Sequence, residues 1–66
     1  MWTVVYIAPD RTIAETLKNK LITEGLLVML RAAGSPQVND ISAVEILVPE
    51  LEAEEAHEIL SSIWHG

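Results

Sequence analysis

The chain has no cysteine. That removes disulfides, thiolate metal sites and cysteine nucleophiles together, and it fits a reducing compartment. Cations are scarce. Arg11, Lys18, Lys20 and Arg31 stand against ten acidic residues, for a formal net charge of −6. Phosphate contacts dominate nucleic-acid affinity and need clustered Lys or Arg, so four scattered cations argue against a nucleic-acid partner. Long apolar runs are missing as well: none approaches the ~20 residues that a membrane-spanning helix requires. No Lys/Arg-rich amphipathic helix is present to lie on a membrane surface, and Met1 to Tyr6 lacks the basic stretch of a signal peptide. A cytoplasmic protein with no membrane partner is the expectation.

The chemistry-bearing motifs are equally sparse. Neither G-x-G-x-x-G nor a P-loop occurs. None of Ser35, Ser42, Ser61 and Ser62 sits in a G-x-S-x-G elbow. Glu54-x-x-His57 resembles half of a carboxylate-bridged metal site, but such a site needs a matching contribution from a second helix. The first helix offers only Glu15 and Glu24 and no histidine. His57, between Glu54 and Glu58, therefore reads as a solvated surface residue, and His65 as part of a frayed terminus. The acids from Glu50 to Glu58 read as a helix start, where negative charge is favourable. Expected catalytic, cofactor-binding and metal-ligating residues are none, and the chain is not expected to be an enzyme.

What is present is a chain of 66 residues, half of them hydrophobic: one domain spanning 1–66, too apolar to be a disordered tail. A domain so short buries only about 60% of the surface its unfolded chain exposes. Small domains commonly add a disulfide, a metal or a partner subunit, and self-association is the device left to consider.

Trp2 to Ala8, rich in β-branched and aromatic residues and closed by Pro9-Asp10, reads as a strand. Asp10 suits a helix N-cap, with Thr12 and Glu15 as a competing capping box. Ile13, Ala14, Leu17 and Leu21 then recur on one side of a helix, which Gly25 ends. Leu26 to Ala32 and Val44 to Val48 read as a second and third strand, the latter stopped by Pro49. A second helix follows, with Ala53, Ala56, Ile59, Leu60, Ile63 and Trp64 as its apolar stripe. The order is β-α-β-β-α. The crossover makes the first two strands parallel; the third, inserted between them, makes every neighbouring pair antiparallel. The expected fold is α+β, a ferredoxin-like split β-α-β lacking its last strand, with sheet order 1-3-2 and both helices on one face.

That arrangement leaves the other face bare. Val44, Ile46 and Val48 should face the helices and Leu47 should not; Arg31 places Leu27 and Met29 on the bare side. In the first strand both phases are apolar, and the expectation is Val5 and Ile7 inward with Trp2, Val4 and Tyr6 outward. Trp2, Val4, Tyr6, Leu27, Met29 and Leu47 then form a candidate self-association face, because an apolar patch of several hundred Å2 is uncommon on a monomer. Pairing could use this face or the open edge of the first strand. A homo-oligomer is expected, and a dimer first, since two-fold closure is commonest. The Ala33 to Ala43 connection exceeds the usual hairpin length, so its Gly34, Ser35, Pro36, Gln37, Asn39 and Asp40 are candidate contacts for a small ligand or a protein partner.

The stretches Tyr6-Ile7-Ala8-Pro9 leading into Ala14 and Leu17, Glu24-Gly25-Leu26, Val44-x-Ile46-Leu47-Val48-Pro49, and Ala53, Ala56, Ile59-Leu60 carry a family likeness. The chain resembles a group of short prokaryotic signal-transducing proteins, a domain family of unknown function whose fold is similar to the PII nitrogen regulators. The likeness spans nearly the whole chain except the 33–43 loop, and its motifs determine fold rather than activity. It implies a bacterial or archaeal source and a regulatory or ligand-sensing role. PII proteins have a further strand, a longer loop and nucleotide-binding residues that have no counterpart here. Nothing about ATP or 2-oxoglutarate carries over. The functional expectation is a non-enzymatic regulatory or protein-interaction module acting as a homo-oligomer; the alternative is a small-ligand sensor at the subunit interface near the 33–43 loop.

Overall fold

A computed structural model of the protein describes residues 1–33 and 43–63. Its elements are β1 (Trp2–Ala8), α1 (Arg11–Thr23), β2 (Met29–Ala32), β3 (Val44–Pro49) and α2 (Ala53–Ile63), with a 3-10 turn at Glu50–Glu52 leading into α2. β1 and β2 each pair antiparallel with β3, which lies between them. They therefore run parallel to each other, as the α1 crossover demands. The α+β fold, the β1-β3-β2 order and the one-sided placement of the helices are those expected from the sequence.

Local chemistry fixes the ends of α1. The Asp10 backbone is extended, and its carboxylate Oδ1 accepts from the Ile13 N–H at 2.9 Å, satisfying one of the free donors of the first turn. Thr12 lies inside the helix, where its carbonyl accepts from the Thr16 hydroxyl, so Asp10 is the cap and the competing box is unused. At the other end Gly25 adopts a φ of +94°. Its N–H donates to the Ile22 carbonyl at 2.9 Å, and the Leu26 N–H donates to Leu21 at 3.1 Å. This is a Schellman closure. A Cβ at Gly25 would meet nothing within 4 Å, so the requirement for glycine is one of backbone conformation alone.

That closure turns the chain inward and buries Leu26. It also explains why β2 begins at Met29 rather than at Leu26, the start expected from the continuous apolar run. The Leu26 N–H is committed to the helix end, and the Leu27 N–H donates to Glu52 Oε1 at 3.0 Å. Neither is free for a ladder. β3 runs one residue past the expected Val48, to Pro49. Opposite Trp2, Pro49 sits where no ladder donor is needed, since the next residue, Glu50, donates its N–H to the Met1 carbonyl at 2.7 Å.

The core lies between the sheet and both helices. Ala8, Val44, Ile46 and Val48 from the strands meet Ala14, Leu17 and Leu21 of α1 and Ala56 and Leu60 of α2. The alternation in β3 is as expected. Ile13, expected beside Ala14 on the buried side, is instead 39% exposed; one residue is about 100° of helical turn, which carries it past the edge of the contact. In α2, Ala53 and Ile59 pack against the core while Ile63 is 39% exposed. Trp64 and His65 lie outside the described residues. So do Gly34, Ser35, Pro36, Gln37, Asn39 and Asp40. The ends of their loop are joined, because the Ala33 N–H donates to the Ala43 carbonyl at 3.0 Å.

Candidate functional site: the helix-free face of the sheet

The register sets out the helix-free face in rows across the strands. Trp2 lies opposite Pro49. In the next row Val4, Leu47 and Met29 stand side by side, one from each strand, and in the row after that Ile7, Glu45 and Arg31. Period-two alternation puts all of these on the side opposite Val44, Ile46 and Val48.

β1 departs from the expected phase. Its pairing with β3 shifts between Val4 and Tyr6, so that Val5 and Tyr6 together oppose Ile46. A β-bulge of this kind inserts one unpaired residue and resets the alternation beyond it. Val5 and Tyr6 both pack against the helix-side core, and Ile7 is 53% exposed. The expectation for β1 is thus corrected at two positions: Tyr6 belongs to the helix side and Ile7 to the bare face. Trp2 and Val4, which precede the bulge, are where the alternation puts them.

Of the six residues proposed for this face, Trp2, Val4, Leu47 and Met29 are brought together. Leu27 is highly exposed but precedes β2 and stands outside the ladder. Leu47 is almost completely buried, yet it is not part of the helix-side core. Flanked by Val4 and Met29, it is the floor of a separate apolar cluster, whose rim of Trp2, Val4, Ile7 and Met29 is 37–53% exposed. Ile7 is the residue that sequence reasoning missed on this face. The bulge carries no glycine or other sequence mark that would have revealed it.

The only charges on these rows are Arg31 and Glu45, and they face each other. Arg31 Nε donates to Glu45 Oε1 at 2.7 Å and Nη2 reaches the same oxygen at 2.6 Å. The face is therefore apolar over most of its extent and carries no net charge.

The rest of the surface differs. Glu54, Glu55, His57, Glu58 and Ser61 on α2 are all exposed, and no cation accompanies them there. Among the described residues no group of three His, Cys, Asp or Glu side chains is placed to hold a metal ion, and no polar or charged side chain is buried. No described helix is long and apolar enough to cross a membrane. Set against family models, curated proteins and solved structures, the chain finds no match in any of the three comparisons.

Proposed function

We propose that this protein is a non-enzymatic interaction module that works as a homo-oligomer, a dimer first, through the helix-free face of its sheet. The observation that carries the reading is the block of Trp2, Val4, Ile7 and Met29 around Leu47, partly exposed and continuous across all three strands. Covering apolar surface is worth about 25 cal/mol per Å2, so a patch of several hundred Å2 contributes on the scale of a small domain's whole stability. The face is favoured over the β1 edge because the bulge at Val5 interrupts that edge and bends it. A regulatory role of the signal-transducing kind, as in the prokaryotic family with the PII-like fold that the sequence resembles, fits a small self-associating domain. A cytoplasmic setting fits the absence of cysteine.

Sedimentation equilibrium of the wild-type chain over a micromolar to millimolar range tests the assembly. The apparent mass should rise with concentration from 7.3 kDa towards twice that value. A mass that stays at the monomer value throughout the range contradicts the proposal.

A further inference from the structure

We infer that two copies stack with their sheets aligned and their strands antiparallel, about a two-fold axis that crosses all three strands at the row of Val4, Leu47 and Met29. The inference rests on the self-association reading and adds to it which residue meets which across the contact. A second copy suits this face on charge grounds. The protein carries a net charge of −6, and the exposed Glu54, Glu55 and Glu58 of α2 repel their like on another copy. The bare face instead closes its one cation on its one anion, so it can meet its own likeness without that repulsion.

The row pattern then limits the axis. Three rows lie along the face: Trp2 with Pro49; Val4, Leu47 and Met29; Ile7, Glu45 and Arg31. A two-fold contact lays residue i on j and j on i. An axis parallel to the strands covers all three of them only if it lies on β3. There it sets Glu45 on the partner's Glu45, and like charges brought together suppress an arrangement. It also sets Ile7 on the partner's Arg31. An axis across the strands at the charged row has the same fault, with Arg31 on the partner's Arg31 as well. A diagonal axis through Leu47, which crosses the sheets near right angles, sets Glu45 on the partner's Val4 or Met29. An axis across the strands at the middle row avoids all of these. Leu47 then lies over the partner's Leu47, Trp2 over the partner's Ile7 and Glu45 over the partner's Pro49, each reciprocally. β1 takes part along its length, and aligned packing within about 30° is one of the two arrangements that stacked sheets adopt. Ile7 enters the contact because the bulge turns it to this face.

The test is an isotope-filtered nuclear Overhauser measurement on the wild-type dimer, assembled from equal parts of methyl-labelled and unlabelled chain. Within one chain, roughly 3.3 Å per residue keeps Trp2 and Ile7 about 16 Å apart, too far for the effect. The expected result is transfer between the Trp2 indole of one copy and the Ile7 methyls of the other. Trp2→Ala and Ile7→Ala should each weaken the dimer about tenfold. The double variant should be no weaker than about the poorer single one, because both substitutions remove the same contact. Far-UV circular dichroism checks that all three fold. Transfer between Val4 and the partner's Met29, or a dimer in which Trp2 and Ile7 show no transfer and their losses multiply, overturns this inference and leaves the apolar-face reading standing. A wild type that never dimerises overturns both.

Discussion

Ile46→Ala should lower the stability of the domain by about 3 kcal/mol, within the range for truncating a buried isoleucine. Ile46 is fully buried at the middle of the central strand, with Tyr6 and Leu30 opposite it and both helices above. Its neighbours are held by backbone pairing on both sides, so the cavity has little room to collapse. A chain of this length has roughly 3–10 kcal/mol in total, at about 0.05–0.15 kcal/mol per residue. The substitution therefore removes a large fraction of it. For a domain of this size each kcal/mol corresponds to about 4–8 °C, and thermal unfolding followed by circular dichroism should show the midpoint falling by at least about 12 °C. Ile7→Ala, measured in dilute solution, is the matched control. The same side chain one strand away stands on the bare face, 53% exposed, and its truncation should cost less than about 1 kcal/mol. Equal losses at the two positions would mean that the bulge in β1 is wrongly placed.

Met29→Lys should weaken self-association about 100-fold while leaving the monomer folded. Met29 lies beside Leu47 and is 37% exposed. A lysine there keeps its aliphatic stem on the sheet and carries its ammonium into water in the monomer. In the assembled state that ammonium is withdrawn from water against apolar surface, and burying a charge is costly. A 100-fold change in dissociation constant corresponds to about 2.8 kcal/mol, well within such a cost. The choice of lysine separates the local effect from general repulsion: the net charge moves from −6 to −5, which by itself favours association. Sedimentation velocity with the thermal midpoint as a control distinguishes the outcomes. Unchanged association with an unchanged midpoint would place Met29 outside the contact.

How far the fold could be read from the sequence depended on whether each signal was local. The ends of α1 were legible because Asp10 and Gly25 act through hydrogen bonds within a few residues of themselves. The facing of β3 and β2 was legible because Glu45 and Arg31 mark the polar phase of otherwise apolar strands. β1 has no such marker. Both of its phases are apolar, and the inserted residue leaves no trace in composition, so the reversal at Tyr6 and Ile7 emerges only from the pairing with β3. The late start of β2 was hidden for a related reason: Leu26 to Leu30 is uniformly apolar, and what withdraws its first residues from the ladder is a helix end behind it and a carboxylate, Glu52, 25 positions ahead of Leu27. The functional face is legible only as a shape and a hydropathy. Its rows hold aliphatic, aromatic and thioether side chains with one ion pair, a chemistry that recognises surface rather than a reacting group.

The central claim is that this particular face, and no other, meets a second copy. Its most direct test is a dilution series of the wild-type chain followed by methyl resonances in heteronuclear NMR, from millimolar to low micromolar concentration. Shifts confined to Met29, Leu47, Val4 and Ile7 are the predicted result. Shifts confined to Ile13, Ile22 and Ile63 on the exposed sides of the helices, or none at any concentration, would contradict it.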